Sequence, residues 1–256
     1  MLMPGAMQVT KNDGPIRLPV LNGTPGTPPA ANVFRPPRAR VSVERVLHRQ
    51  GYRDLGRVRT AIRRAAEQAA RLAEELHDPQ ACYRRFAIGS CRADGRLELC
   101  GGTVLRCEAF PKYLGWCGDA VLFVITAGRR IDEKIVEYAE SGAGLLEALL
   151  LETAGSLALD DSTRHFKRHI AAEAACGARR LGTRMGPGHS YRLESGVRMW
   201  PLEDQEALFG AFDGHALPAE LLPSCAMLPK LSRSGLFGAG VFSIQQRATN
   251  WHLAIH

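Results

Sequence analysis

The chain has 256 residues, of which 45% are hydrophobic and 23% are charged, and its formal net charge at pH 7 is +7. This length is sufficient for one large domain or two small ones with a real core. No apolar run approaches the length of a membrane span, and no basic segment followed by an apolar one opens the chain. We therefore expect a cytoplasmic protein with no signal peptide and no membrane-spanning helix.

Residues 1–40 are rich in Pro and Gly, and this composition predicts a disordered arm. Residues 41–256 are predicted to form the folded domain, whose first part, 41–80, is helical. A short helix ends near Gly51, and a longer one carries an apolar stripe at helical spacing before Asp78-Pro79 stops it. The stripe comprises Val58, Ile62, Ala65, Ala69, Leu72 and Leu76.

The helical segment is strongly basic. Between Arg35 and Arg71 there are eleven Arg residues and only three acidic ones. Such a surface suits an acidic protein partner or nucleic acid. Because aromatic residues are sparse and no nucleic-acid motif is present, we favour a solvated face or a docking face for an acidic partner, and we expect no nucleic-acid binding.

Strand signals begin after residue 80. Residues 82–88, 96–100 and 103–107 read as short strands, and 120–128 is apolar on both faces, as a buried strand is. An amphipathic helix follows, and a second helical pattern runs from Gly144 to about Cys176 with Gly155 inside it. Since glycine weakens a helix, Gly155 predicts that another element packs closely there.

The last third alternates helix and strand. Pro201 is predicted to occupy the first position of a helix, and 225–228 and 235–244 read as strands. Helices and strands mix without regular βαβ alternation. We therefore predict an α+β fold, with helices around a twisted, mainly antiparallel sheet.

The seven cysteines have no CxxC spacing, and their spacing matches no zinc pattern. They read as free thiols that pack as small hydrophobic groups, and no metal site is predicted. Four of them lie between Cys91 and Cys117, which leaves open a metal or cluster site as a minor alternative.

Three ordered motifs resemble one family. Arg184 to His189 resembles an R-x-x-x-G-[Y] motif, "WPLEDQEALF" from Trp200 resembles a helix start, and "SCAMLPKLSRSG" from Ser224 resembles an S-x-A-M-x-P-x-x-S-x-S-G run. All three are similar to segments of the vitamin B12-dependent methionine synthase activation domain and its stand-alone relatives. The resemblance spans roughly residues 41–245.

The resemblance implies a function. Activation domains bind S-adenosylmethionine (AdoMet) in a shallow groove of an α+β fold and support reductive remethylation of an inactive cobalamin. The electron comes from a separate donor, often flavodoxin. The chain shows no corrinoid-binding, homocysteine-binding or folate-binding module, so we expect cobalamin to arrive on a separate corrinoid-binding protein or methyltransferase.

The site residues follow from the motifs and from their chemistry. Arg184 has a planar, cationic guanidinium that can form two hydrogen bonds to a carboxylate. The glycines that follow it let a ligand approach the main chain. Asp160 is expected to accept from the ligand's ammonium or ribose; the alternative is an i, i+4 ion pair with Arg164. Two serines either line the groove or cap a turn. The candidate ligand-binding set is Asp160, Arg184, Gly186, Pro187, Gly188, His189, Tyr191, Ser232 and Ser234.

The chain departs from the family pattern at two places. His189 replaces a Tyr, a role that Tyr191 is expected to take over, and residues 190–199 look like an insertion beside the groove. These departures motivate the alternative of a non-catalytic docking module for a corrinoid protein, whose ligand site has decayed.

Overall fold

The computed structural model describes residues 30–141 and 144–241. No helix of these residues is long and apolar enough to cross a membrane. The six α-helices of this part of the chain are α1 Val43–Arg49, α2 Thr60–Leu76, α3 Phe110–Leu114, α4 Arg129–Glu140, α5 Leu145–Cys176 and α6 Asp204–Gly210, and a 3-10 helix spans Leu55–Arg57. The strands are β1 Asn32–Phe34, β2 Gln80–Cys91, β3 Arg96–Leu99, β4 Val104–Arg106, β5 Asp119–Thr126, β6 Arg180–Met185, β7 Ser190–Leu193, β8 Gly196–Met199, β9 Glu220–Leu221, β10 Met227–Leu228 and β11 Ser232–Gly240.

Seven of these eleven strands form one large antiparallel sheet, and the other four form two separate two-stranded sheets, β7–β8 and β9–β10. The order of the large sheet is β4-β3-β2-β5-β11-β6, with β1 paired to β2 as the seventh strand, and each neighbouring pair is antiparallel. All eight residues of β5 are buried, as its continuous apolar run predicts. The predicted α+β fold with a mainly antiparallel sheet is confirmed.

Each face of the sheet has its own core. Alternate residues of β5 point to opposite sides, because side chains alternate along a strand. Phe123 and Ile125 join a cluster with residues of α2, α4 and α5, and Leu122 and Val124 join one with residues of α3 and α6. The sheet is therefore the middle layer of the fold.

The long helix α5 lies across the sheet and carries Gly155 where the chain is tightly packed. A Cβ at Gly155 would collide with Leu231 and lie 3.0 Å from Ile131. The expected close packing at this glycine is confirmed.

Two predicted boundaries are wrong. The arm does not extend to residue 40, because Asn32–Phe34 pairs with β2 and the Phe34 ring stacks on His169 at a centroid distance of 4.2 Å. The rest of the predicted arm, 1–29, lies outside the described residues. The other error concerns Pro201: helix α6 begins at Asp204, whose carboxylate accepts a hydrogen bond from the Trp200 indole.

Candidate functional site

A cavity of about 440 Å³ lies between the sheet and α5. Arg184 on β6 is the direct partner of Phe237 on β11, so both side chains project from the same face of the sheet. Arg233 lies four residues before Phe237 and shares that face. Helix α5 forms the opposite wall. The lining residues are Asp160, Thr163, Arg164, Lys167, Thr183, Arg184, Arg233 and Phe237.

Asp160 is the carboxylate of this cavity, and two arginines hold it. One oxygen lies 2.5 Å from Nη2 of Arg233, and the other lies 2.8 Å from Nη2 of Arg49. The alternative ion pair with Arg164 is wrong, because Arg164 contacts Asp161 instead, at 2.5 Å. The Asp160 side chain remains 25% exposed, so it stays accessible to a ligand.

Arg184 carries a donor that has no acceptor in the part of the chain that the structure describes. Its Nη2 lies 3.3 Å from Nε2 of His189. Its Nη1 is buried and finds no hydrogen-bond partner among the described residues. Burial lowers the pKa of Arg184, and the nearby Arg233 lowers it further. A buried guanidinium donor without an acceptor is costly.

His189 has a definite hydrogen-bonding arrangement. Because an arginine can only donate, Nε2 of His189 must accept from Arg184. The ring proton therefore sits on Nδ1, which donates to the Pro187 carbonyl at 3.2 Å. His189 thus ties the turn to Arg184.

The Gly186–Gly188 turn satisfies much of its own main chain. The Gly186 N–H donates to the Tyr191 hydroxyl at 2.7 Å, and this hydroxyl donates to the Gly186 carbonyl at 3.1 Å. The Gly188 N–H donates to the Trp200 carbonyl at 2.8 Å, and Gly188 has a φ of 75°. The expectation that Gly186 offers its main chain to a ligand does not fit these contacts. The turn instead fixes the position of Arg184.

Tyr191 lies beneath this turn, not in the cavity. It is 8% exposed, and its ring packs edge-to-face on Tyr113 at 5.7 Å. The expectation that Tyr191 takes the place of the family's Tyr at the ligand does not agree with this position. The segment 190–199, which looked like an insertion, folds into the β7–β8 hairpin that carries this residue.

Ser232 and Ser234 lie on the other side of the sheet. Both are buried, and the pleat directs them away from Arg233 and the cavity. The Ser234 hydroxyl donates to the Gln205 side chain of α6 at 2.5 Å. The expected lining role is therefore not supported at this cavity, because β11 begins at Ser232 and its register fixes which side chains face α5.

Several residues that line the cavity are not among the site residues predicted from the sequence motifs. Arg233 stands between the two serines of the same motif, and Thr183, Arg164 and Lys167 complete the wall. The alternation of side chains along a strand was the available signal for Arg233, since only one of two adjacent positions faces a given side.

The cysteines provide no support for a metal or cluster site. All seven are free thiols, and no three His, Cys, Asp or Glu side chains of residues 30–141 and 144–241 come together to hold an ion. Burial raises the pKa of Cys91 to about 11 and that of Cys117 to about 12, which keeps both protonated at neutral pH.

The antiparallel sheet, the long helix and the arginine-rich cavity define an α+β protein with a ligand-sized basic site. No family model matches the sequence, and no curated protein matches it. Among solved structures, the chain is similar to the "Crystal Structure of the MetH Reactivation Domain bound to AdoHcy". The TM-score is 0.56 at 14% identity, covering 88% of this chain and 84% of that chain. At this identity the likeness shows a common fold.

Proposed function

We propose that the cavity binds AdoMet or its demethylated form, AdoHcy. The observation that carries this proposal is that Arg184, whose buried Nη1 has no hydrogen-bond partner among the described residues, lines a cavity that also contains the carboxylate of Asp160. A ligand with an amino-acid end offers a carboxylate for the first group and an ammonium for the second. The neighbour of the same fold was crystallised with AdoHcy.

Each residue has a defined task in this proposal. Arg184 holds the ligand carboxylate, and His189 keeps the guanidinium oriented. Asp160 accepts from the ligand's ammonium or ribose, and Phe237 provides an apolar wall. Gly186, Pro187, Gly188 and Tyr191 support these groups through the hydrogen bonds within the turn.

The proposed biological role is support of a separate corrinoid-dependent methyltransferase of the methionine synthase type, within methionine biosynthesis. Bound AdoMet would supply the methyl group for remethylation of the cobalamin, which the partner carries. An electron donor such as flavodoxin would supply the reducing electron. The residues of this chain would bind and orient the nucleoside, as proteins commonly do for a reactive cofactor. Support for this role comes from the three sequence motifs together with the shared fold.

A second function, a docking module without a ligand, is favoured by the contacts of Asp160. Both carboxylate oxygens already contact guanidinium groups of this chain. If those contacts persist, Asp160 serves only to hold α1 and β11 together. This function predicts binding to a corrinoid protein with no dependence on AdoMet or AdoHcy.

Titration calorimetry separates the two functions. We expect saturable binding of AdoHcy or AdoMet to the wild-type chain and its loss in Arg184→Ala. The matched control is Arg192→Ala, an exposed arginine on β7 outside the cavity. If neither ligand binds the folded wild-type protein, the ligand-binding proposal is wrong and the docking function is favoured.

A further inference from the structure

A second cavity, of about 500 Å³, lies at the end of β5. Thr126 lines it and shares a face of the sheet with Leu122 and Val124, which pack towards α3 and α6. Gln80 on β2 is the direct partner of Thr126 and lines the cavity from the same face. Small-molecule sites commonly have volumes of about 300–1,000 Å³. The second cavity is therefore large enough for a ligand, and it shares no lining residue with the cavity beside α5.

One wall of the second cavity is apolar. It is built from the segment that leads into β9 and from the end of β10. Leu228, the last residue of β10, is 44% exposed although its side chain is apolar. Apolar side chains of this kind typically contact the apolar part of a ligand. The wall comprises Leu217, Pro218, Ala219, Leu228 and Pro229.

Three charged side chains line the same cavity. Arg129 and Glu220 are exposed, and neither side chain has a hydrogen bond or an ion pair in the part of the chain that the structure describes. Asp78 contacts Arg35 at 3.7 Å, but both side chains are largely exposed, so this ion pair contributes little to stability. One guanidinium and two carboxylates are therefore available to a ligand.

The main chain brings the guanidinium and one of the carboxylates to neighbouring positions. The Asp78 N–H donates to the Ala127 carbonyl at 3.0 Å. A Cβ at Gly128, the residue before Arg129, would lie 2.9 Å from the Asp78 carbonyl oxygen, and Gly128 has a φ of 99°. Glycine allows this close approach. Asp78 and Arg129 thus line the cavity side by side.

Two other polar groups of the cavity are already engaged. Nε2 of His215 accepts from the Ala31 N–H at 3.2 Å. The Thr126 hydroxyl donates to the Leu231 carbonyl at 3.3 Å. The groups that a charged ligand would contact are therefore the guanidinium and the two carboxylates.

We infer that the second cavity binds a free α-amino acid with an apolar side chain. An α-amino acid carries its carboxylate and its ammonium on the same carbon, so it needs a cation and an anion at neighbouring positions. Arg129 holds the carboxylate, and Asp78 and Glu220 accept from the ammonium. The ligand side chain contacts the apolar wall. The inference does not depend on the proposed function, because the two cavities are separate.

The test is equilibrium dialysis of the full chain with radiolabelled L-methionine, whose side chain is apolar and unbranched. We expect saturable binding with a Kd below about 1 mM. N-acetyl-L-methionine lacks the ammonium, and L-glutamate lacks the apolar side chain. Each should compete about tenfold less well than unlabelled L-methionine. AdoHcy should not displace the amino acid.

Two variants test the assigned contacts. Arg129→Gln should weaken binding about tenfold, because a charge-assisted hydrogen bond becomes a neutral one. Glu220→Gln should weaken it about threefold, since the second carboxylate remains. Both positions are exposed, so neither substitution should unfold the chain. Arg130→Gln is the matched control, because Arg130 is exposed at the next position and does not line the cavity.

Several results would overturn the inference. They are the absence of saturable binding, equal affinity for N-acetyl-L-methionine, and equal losses in Arg129→Gln and Arg130→Gln. Displacement by AdoHcy would assign the amino acid to the cavity beside α5 and would contradict the inference as well. Binding of AdoHcy at Arg184 is measured separately, so the proposed function stands or fails on its own test.

Discussion

Nε2 of His189 lies 3.3 Å from Nη2 of Arg184, and Nδ1 of the same ring lies 3.2 Å from the Pro187 carbonyl. The imidazole therefore connects the turn to the guanidinium that faces the cavity. This arrangement gives His189 a positioning role: it holds one end of the Arg184 guanidinium in place at the wall of the cavity.

The first prediction concerns this contact. His189→Ala should weaken AdoHcy binding about fivefold, because a hydrogen bond of this kind contributes about 1 kcal/mol. Arg184→Ala should weaken it by about thirtyfold or more, since a charge-assisted contact to the ligand is lost. Titration calorimetry measures both. A larger loss in His189→Ala than in Arg184→Ala would contradict the assigned roles.

The second prediction concerns the support beneath the turn. Tyr191→Phe removes the hydroxyl that serves both the N–H and the carbonyl of Gly186; the carbonyl keeps the His189 N–H at 3.3 Å, but the buried Gly186 N–H loses its acceptor. We expect a loss of about 2 kcal/mol in the free energy of unfolding. Tyr113→Phe is the control, because its hydroxyl makes one long contact of 3.4 Å, to the Arg192 carbonyl. Equal losses measured by urea unfolding would refute the assigned role of Tyr191.

The third prediction tests the close approach of β6 and β11. A Cβ at Gly235 would collide with the carbonyl oxygen of Met185. Gly235→Ala should destabilise the fold by about 3 kcal/mol, because buried main chain must move to make room. Gly210→Ala is the control, since its Cβ would meet no atom within 4 Å and alanine favours a helix. Thermal unfolding of both variants should show a marked loss for the first and none for the second.

The fourth prediction is a pH dependence caused by His77. This side chain is fully buried: Nδ1 accepts from the Ala39 N–H, and Nε2 contacts the Ser162 hydroxyl. Burial lowers its pKa from 6.5 to about 4. Between pH 6.5 and about 4, His77 is therefore protonated in the unfolded chain and neutral in the folded chain. The stabilising contribution of the neutral ring is complete above pH 6.5 and falls by about 3 kcal/mol towards pH 4.

His77→Gln is the matched variant, because its amide can also accept at one end and donate at the other. The free energy of unfolding, measured by urea at several pH values, should fall more steeply for the wild type between pH 6.5 and 4. Identical slopes for the two proteins would contradict the assigned burial of a neutral histidine.

Elements with a strong periodic pattern could be predicted from the sequence. The apolar stripe of α2 faces the core, and the continuous apolar run of β5 lies fully buried at the centre of the sheet. In both cases one local pattern determines which side chains are buried. The long α5 was equally visible, including the packing constraint at Gly155.

Elements whose stability depends on distant partners could not be predicted. β6 contains Gly182 and two arginines in six residues, and it is a strand because β11 provides its hydrogen-bonding edge. Asp160 forms an ion pair with Arg49, which is 111 positions away in the chain, and no local sequence pattern predicts such a contact. The two serines of the "SRSG" motif, which were candidates for lining the groove, lie on the other face of the sheet, because their side depends on where β11 begins.

The central claim is that the cavity between Asp160 and Arg184 binds the nucleoside. Its most direct test is a crystal structure of the protein grown with AdoHcy. We predict density for the ligand in this cavity, with its carboxylate within hydrogen-bonding distance of the Arg184 guanidinium. A well-ordered cavity without ligand at saturating AdoHcy, or AdoHcy bound elsewhere on the chain, would contradict the claim.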